Sequence, residues 1–111
     1  MTAKDCILGR RSIRKFKADA VSHELLSEIV ETASYSPSWK HTQITRYIAV
    51  EGALKEKIAK ECTTMYPPNG DIIAAAPVLM AVTIIKNRSG YERDGSFSTP
   101  RGDGWQMYDA G

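Results

Sequence analysis

Five of the fifteen Lys and Arg residues of this 111-residue chain lie between positions 10 and 17, a segment termed here the basic turn. Ser12 stands among them. Guanidinium groups give paired, charged hydrogen bonds to phosphate oxygens, and a serine hydroxyl adds a short donor. The basic turn therefore favours a phosphate site, although a solvated charged turn has the same composition. The candidate ligands are Arg10, Arg11, Ser12 and Arg14.

Two further segments carry polar groups of the kind that bind small molecules. The first is the Pro–Ser loop, residues 36–43, where Pro37, Ser38 and His41 offer a rigid bend, a hydroxyl and an imidazole. The second is Asn69, which follows two prolines. Taken alone, the loop is an ordinary helix-terminating segment and Asn69 an ordinary turn residue. No nucleophilic triad, paired carboxylates or glycine-rich nucleotide motif occurs, so no catalytic residue is predicted and any redox chemistry would come from a cofactor.

The distribution of charge and cysteine limits the possible partners. Net charge is +2, yet residues 1–17 hold six basic residues and a single acidic one. Such focal basicity suits a small anion and argues against nucleic acid, which is bound by broader basic surfaces. Cys6 and Cys62 have no CxxC partner, so no metal is expected and both read as free thiols in a reducing cytosol. The longest apolar stretch, 72–85, is too interrupted to span a bilayer, and a cytoplasmic protein is the expectation.

The helices and strands that would position these groups follow from hydrophobic periodicity and from the Gly and Pro residues that interrupt it. The pattern predicts short helices at 3–9 and 53–62, a helix begun by the N-cap Ser22 and ended by Pro37, and one helical turn at 71–76 after a breaker at 67–70. Strands are expected at 46–50 and 78–85, the latter buried on both faces. Residues 86–104 read as a long loop, and a further helix starts at Trp105.

Predicted burial follows the same patterns. Ile7 and Leu8 are expected on an inner face of the first helix, and Phe16 is expected to anchor the basic turn to the core. The helix after Ser22 should bury an apolar stripe, and the helix at 53–62 should bury its apolar positions at every fourth residue.

In this order and spacing, the segments resemble the N-terminal half of the FMN-dependent nitroreductase family. RRSIRKF at 10–16 resembles the family's opening R-R-S-x-R-x-F turn, and PSWKHTQ at 37–43 resembles P-S-S-x-N-x-Q-P. NGDIIAAAPVLMAV at 69–82 resembles the Asn-containing turn, Ala-Pro and central strand, and WQMYDAG at 105–111 resembles the start of the long core helix. The departures are His41 for the usual Asn, Trp39 for a small residue that would narrow the pocket, and Ile44 for Pro.

The resemblance implies an α+β fold, a nitroreductase-like mixed sheet flanked by helices, with residues 1–111 as the N-terminal part of a single, incomplete domain. It implies a homodimer with FMN at the subunit interface. Arg10, Ser12 and Arg14 would contact the phosphate, ribityl chain and pyrimidine edge, with Arg11 beside them. Ser38 and His41, in the loop bent at Pro37, would reach the partner subunit's flavin, and Asn69 would hydrogen-bond the ring.

The implied activity is transfer of hydride from NAD(P)H through flavin to a nitroaromatic, quinone or similar small acceptor. Two alternatives stay open from the residues themselves. The chain could be a non-catalytic anion- or nucleotide-binding module that uses only the basic turn, or an inactive truncated remnant. Neither membrane nor nucleic acid is expected as a partner.

Overall fold

The computed structural model describes residues 1–111, which form two compact units. Residues 1–20 and 51–77 make the first unit, and residues 21–50 and 78–111 make the second. No helix is long and apolar enough to cross a membrane. The helices are α1 Ala3–Gly9, α2 His23–Ala33, α3 Gly52–Glu61, α4 Pro67–Ala75 and α5 Gly104–Ala110, and the strands are β1 Thr45–Val50 and β2 Leu79–Ile84.

In the first unit, α1 begins with a reciprocal capping box. The amide of Asp5 donates to Thr2 Oγ1, and the amide of Thr2 donates to the Asp5 carboxylate at 2.8 Å. These hydrogen bonds, from the Thr2 amide first and its hydroxyl second, lower the pKa of Asp5. The predicted inner face is wrong for this chain, since Ile7 is 74% and Leu8 64% exposed.

The pairing of α3 with α4 forms the packed part of the first unit, and it differs from the predicted apolar stripe. Leu54 and Cys62 are exposed, whereas Lys55 and Ala59 are buried. Gly70 is buried where α4 approaches α3. The two helices are so close there that a Cβ at position 70 would stand 2.5 Å from the carbonyl oxygen of Ala59. Close backbone approach therefore decides which α3 face is covered.

The segment predicted as a breaker at 67–70 is instead the first turn of α4. Pro67 and Pro68 occupy its first positions. Proline is tolerated there because the first helical amides have no partner within the helix. The predicted single turn at 71–76 is thus the later part of a nine-residue helix.

In the second unit, α2 starts as predicted at the N-cap Ser22, whose hydroxyl accepts a hydrogen bond from the Leu25 amide at 3.2 Å. The helix ends at Ala33, before Pro37, and none of its residues is fully buried. Leu25 and Ile29 are about half exposed, so the expected stripe is only partly covered by this chain.

Strands β1 and β2 pair antiparallel, with Thr45 opposite Ile84 and Val50 opposite Leu79. The α+β class is confirmed, and the sheet consists of these two antiparallel strands. The prediction that β2 is buried on both faces is wrong, because Val82 is 46% exposed. Ile44, immediately before β1, is the most deeply buried apolar side chain at 1% exposure.

The predicted loop at 86–104 is a series of turns with fixed internal contacts rather than an unstructured segment. Tyr91 and Phe97 form an isolated antiparallel bridge and a ring contact at 5.1 Å. Gly90 has φ +87°, and its carbonyl accepts from the Ser98 amide at 2.9 Å. A side chain at Gly90 would meet Trp105, so the close approach and the backbone angle both require glycine.

Candidate functional site

The basic turn follows α1 directly and lies at the surface of the first unit. The amide of Arg10 donates to the Cys6 carbonyl at 3.1 Å and ends the helix. Arg11 Nη1 donates to the carbonyls of Leu8 and Arg10 at 3.0 and 2.8 Å, and Arg14 reaches the Ser12 carbonyl at 3.5 Å. The hydrogen bonds of both side chains therefore go to backbone carbonyls within residues 8–12.

The carbonyl partners of Arg11 and Arg14 are neutral, so these hydrogen bonds fix part of each side chain without cancelling its charge. Phe16 is 45% exposed, so the expected anchoring to the core is not found in this chain. An exposed cluster of guanidinium groups around a hydroxyl has the chemistry of a phosphate ligand set.

Asn69 belongs to the same unit as the basic turn and lies in the first turn of α4, not in a free turn. Its backbone amide donates to the Tyr66 carbonyl at 3.0 Å, and its side chain is exposed. The carboxamide is therefore presented by a helix whose backbone is fixed, and it can both donate and accept a hydrogen bond.

The Pro–Ser loop lies in the second unit and contains a strained backbone. Ser38 opens a single 3₁₀ turn, Trp39–His41. Lys40, His41 and Gln43 have φ of 46°, 51° and 53°, in the left-handed region that costs a non-glycine residue roughly 1–2 kcal/mol. A hydrogen bond of 2.9 Å joins the side-chain amide nitrogen of Gln43 to His41 Nε2. Strained backbone conformations of this kind are concentrated at active sites and ligand-binding sites.

The predicted loop residues line one concave surface within the second unit. Its volume is about 750 Å³, within the range of small-molecule sites. Pro37, Ser38 and His41 all contribute to it. The other polar residues of its wall include Gln43, Thr45, Arg46 and Asp109.

Trp39 is not part of the wall of this groove. Its ring packs instead against Trp105 of α5, with ring centres 6.2 Å apart. Lys40 covers the Trp39 ring at 4.6 Å and reaches Glu92 at 3.6 Å. Because the bulky side chain turns toward α5, the neighbouring Ser38 and His41 are left to line the groove.

Asp109 is a site residue that the sequence patterns did not single out. Its Oδ1 accepts from the Trp39 amide at 2.9 Å, and its Oδ2 accepts from the Ser89 hydroxyl at 2.6 Å. Its backbone carbonyl accepts from Thr45 Oγ1 at 3.3 Å. These partners are 20 to 70 positions away in the chain, and no local signal around WQMYDAG indicates them.

The residues present fit FMN chemically. The first unit provides cations and a hydroxyl for a phosphate, and the second provides a groove with hydroxyl, imidazole and carboxamide groups suited to a polar ring edge. Thr42 Oγ1 in the Pro–Ser loop is buried without a hydrogen-bond partner among the protein groups, as is Ser98 Oγ outside the loop.

Comparison with known proteins gives one family. The nitroreductase family model matches residues 7–111. Nitroreductase NfnB of Mycolicibacterium smegmatis is 33% identical over 64 residues, which are 58% of this chain and 27% of that protein. YfhC of Bacillus subtilis, which is named for NAD(P)H nitroreductase activity, is 43% identical over 47 residues, 42% of this chain and 24% of that protein.

The fold has a counterpart among solved structures. The crystal structure of a nitroreductase family protein from Clostridium novyi superimposes with a TM-score of 0.70 at 23% identity. The match covers 99% of this chain and 62% of that chain. The matches thus take in about a quarter of each curated relative and under two thirds of the solved chain.

Proposed function

Because the chain belongs to the nitroreductase family, we propose that residues 1–111 form the N-terminal part of a single nitroreductase-like domain of an FMN-dependent NAD(P)H oxidoreductase. The observation that carries this proposal is the exposed basic turn, in a chain whose second unit carries a groove lined by Ser38 and His41. The name of the Bacillus subtilis relative supports NAD(P)H as the reductant.

In this proposal, each predicted residue has a stated part. Arg10, Arg11 and Ser12 bind the FMN phosphate and ribityl chain through charged and hydroxyl hydrogen bonds. The guanidinium of Arg14 lies toward the pyrimidine edge, where its positive charge stabilises added negative charge. Asn69 donates to or accepts from the flavin ring through its exposed carboxamide.

The Pro–Ser loop supplies the remaining contacts. Ser38 and His41, which follow Pro37 in the chain, bind the flavin of a partner subunit in a homodimer. Bound FMN would accept hydride from NAD(P)H and deliver electrons to a nitroaromatic, quinone or similar small acceptor, while the protein holds and orients it. His41 can offer one ring N–H to this contact, because its Nε2 is engaged with Gln43. We further propose that the protein acts in the cytoplasm.

The test uses the full-length protein and FMN. We expect a yellow dimer that oxidises NAD(P)H, and Arg14→Gln should weaken FMN binding by about 10- to 100-fold, the equivalent of one charged hydrogen bond of about 1.5–3 kcal/mol. The matched control is Lys4→Gln, which removes a positive charge from α1 outside the ligand set and should change the dissociation constant less than threefold.

An anion-binding module is the second candidate, favoured by the exposure of the basic turn in the first unit. It differs from the first in two measurements. A colourless protein that ignores added FMN and does not oxidise NAD(P)H, yet binds inorganic phosphate through Arg10 and Arg14, would replace the oxidoreductase proposal. A protein that binds neither FMN nor phosphate would refute both.

A further inference from the structure

The carboxylate of Asp109 uses its two oxygens for two separate loops. Oδ1 accepts from the Trp39 amide of the Pro–Ser loop at 2.9 Å, and Oδ2 accepts from the Ser89 hydroxyl at 2.6 Å. Ser89 is fully buried and belongs to the segment that follows β2. One side chain near the end of α5 therefore joins the Pro–Ser loop to the 86–103 segment.

We infer that Asp109 is a positioning residue that holds the Pro–Ser loop in the conformation in which Ser38 and His41 bind FMN. This inference rests on the proposed function. Asp109 acts through Trp39, whose backbone amide it binds. On one side of Trp39 is Ser38, which lines the groove, and on the other is Lys40, whose φ is positive.

The place of the hydrogen bond explains why it controls the loop. Trp39 lies directly between Ser38, which lines the groove, and Lys40, the first of the residues with positive φ. A strained conformation persists only where the surrounding contacts determine it. The amide of Trp39 is fixed by Asp109, and its ring is fixed by Trp105, so α5 holds this residue at two points.

The role of Ser89 follows from its burial. A hydroxyl with no exposure has few alternative partners, and the short contact of 2.6 Å orients the carboxylate so that the other oxygen faces Trp39. The Ser89 bond is thus an indirect support of the loop. The backbone carbonyl of Asp109 is held separately by Thr45, which a side-chain substitution at 109 does not remove.

The chemistry of the site distinguishes two substitutions. Asp109→Ala removes both acceptors. Asp109→Asn has nearly the same shape and keeps one oxygen for the Trp39 amide, while its NH₂ group donates to Ser89 Oγ and leaves the Ser89 proton without its acceptor. The asparagine variant should therefore keep the Trp39 bond and restore the loop in part. Asp103→Ala is the matched control, since Asp103 lies at the start of the same helix and its side chain makes no capping bond.

The experiment measures two quantities in the full-length protein: hydrogen exchange of the Trp39 backbone amide and the dissociation constant for FMN. For Asp109→Ala we expect exchange at Trp39 to accelerate at least about tenfold and FMN binding to weaken at least about tenfold. Asp109→Asn should lose less than the alanine variant in both quantities, because it keeps the Trp39 bond, and Asp103→Ala should change neither.

Several results would overturn the inference. Unchanged exchange at Trp39 in Asp109→Ala would show that the carboxylate does not hold the loop. An asparagine variant as weak as the alanine variant would show that side-chain hydrogen bonding is not the cause. If Asp109→Ala fails to fold, Ser89→Ala takes its place, and unchanged exchange at Trp39 there counts against the inference. A protein that never binds FMN would refute the proposed function, while the exchange rates alone still decide whether Asp109 holds the loop.

Discussion

Lys55 is a buried lysine whose removal tests the packing of the helix pair that carries Asn69. Its Nζ donates to the carbonyls of Ile73 and Ala74 at 3.1 and 2.9 Å and to Glu56 at 2.9 Å. The residue is only 5% exposed. A single ammonium group therefore uses its three donors, two of them on carbonyls at the C-terminal end of α4 where positive charge is favoured. Lys55→Met keeps the length of the apolar stem and removes these bonds.

The expected size of the effect follows from the burial of each partner. The two carbonyl bonds contribute about 1.5–3 kcal/mol each, because one partner is charged. The contact with Glu56 adds roughly 0–1 kcal/mol, since that carboxylate is 60% exposed. Methionine avoids the cost of burying an ammonium ion, which is several kcal/mol and offsets much of this loss. We expect a net decrease of about 2 kcal/mol in the free energy of unfolding, or about 30-fold in the equilibrium constant.

The assay is urea denaturation of the full-length protein at neutral pH, compared with Lys57→Met. Lys57 is an exposed lysine on the same helix, so its substitution removes the same charge and adds the same side chain. We expect the control to change stability by less than about 0.5 kcal/mol. Equal urea midpoints for the two variants, or a more stable Lys55→Met protein, would refute the view that Lys55 stabilises α4 by donating to the carbonyls of Ile73 and Ala74.

Two further predictions concern Gly70 and Asp94. Gly70→Ala should destabilise the protein by about 1–3 kcal/mol in the same assay, because the added methyl meets the backbone carbonyl of Ala59; Gly9→Ala, which meets no atom within 4 Å, should be neutral or stabilising. Hydrogen bonds from the hydroxyl and then the amide of Ser96 lower the pKa of Asp94. Their contribution is present above the ordinary carboxyl pKa and is lost as pH falls through the lowered value. Amide exchange at Ser96 should therefore accelerate, after correction for intrinsic rates, only in acid below that ordinary value, and an Asp94→Asn variant should lack this step.

The local elements of the fold were largely predictable. The start of α2 at Ser22 followed from capping chemistry, and strands β1 and β2 followed from runs of branched apolar residues. The family followed from the order of short motifs, which the match over residues 7–111 confirms. The extent of α4 was missed, because the paired prolines were taken as a breaker although proline is equally suited to a first helical turn.

The candidate site was predictable as a set of residues but not as an arrangement. Pro37, Ser38 and His41 were singled out from one segment, and they line one groove. Their specific parts in binding FMN, like those of the basic turn and Asn69, stay predictions. The narrowing of the flavin pocket by Trp39 also stays a prediction, and residue size alone does not say that its ring meets Trp105.

The sequence by itself determined the helix caps, the strands, the focal positive charge and the family, because these depend on neighbouring residues or on the order of motifs. Only the tertiary structure decided that Lys55 is buried, that Gly70 admits a close helix contact and that Asp109 binds Trp39 across 70 positions. Such contacts depend on where the chain path brings distant residues together, and hydrophobic periodicity carries no information about that path. The exposure of Ile7, Leu8 and Phe16 was likewise decided by the tertiary structure. A sequence pattern can identify an apolar surface, but it does not show which part of the chain packs against that surface.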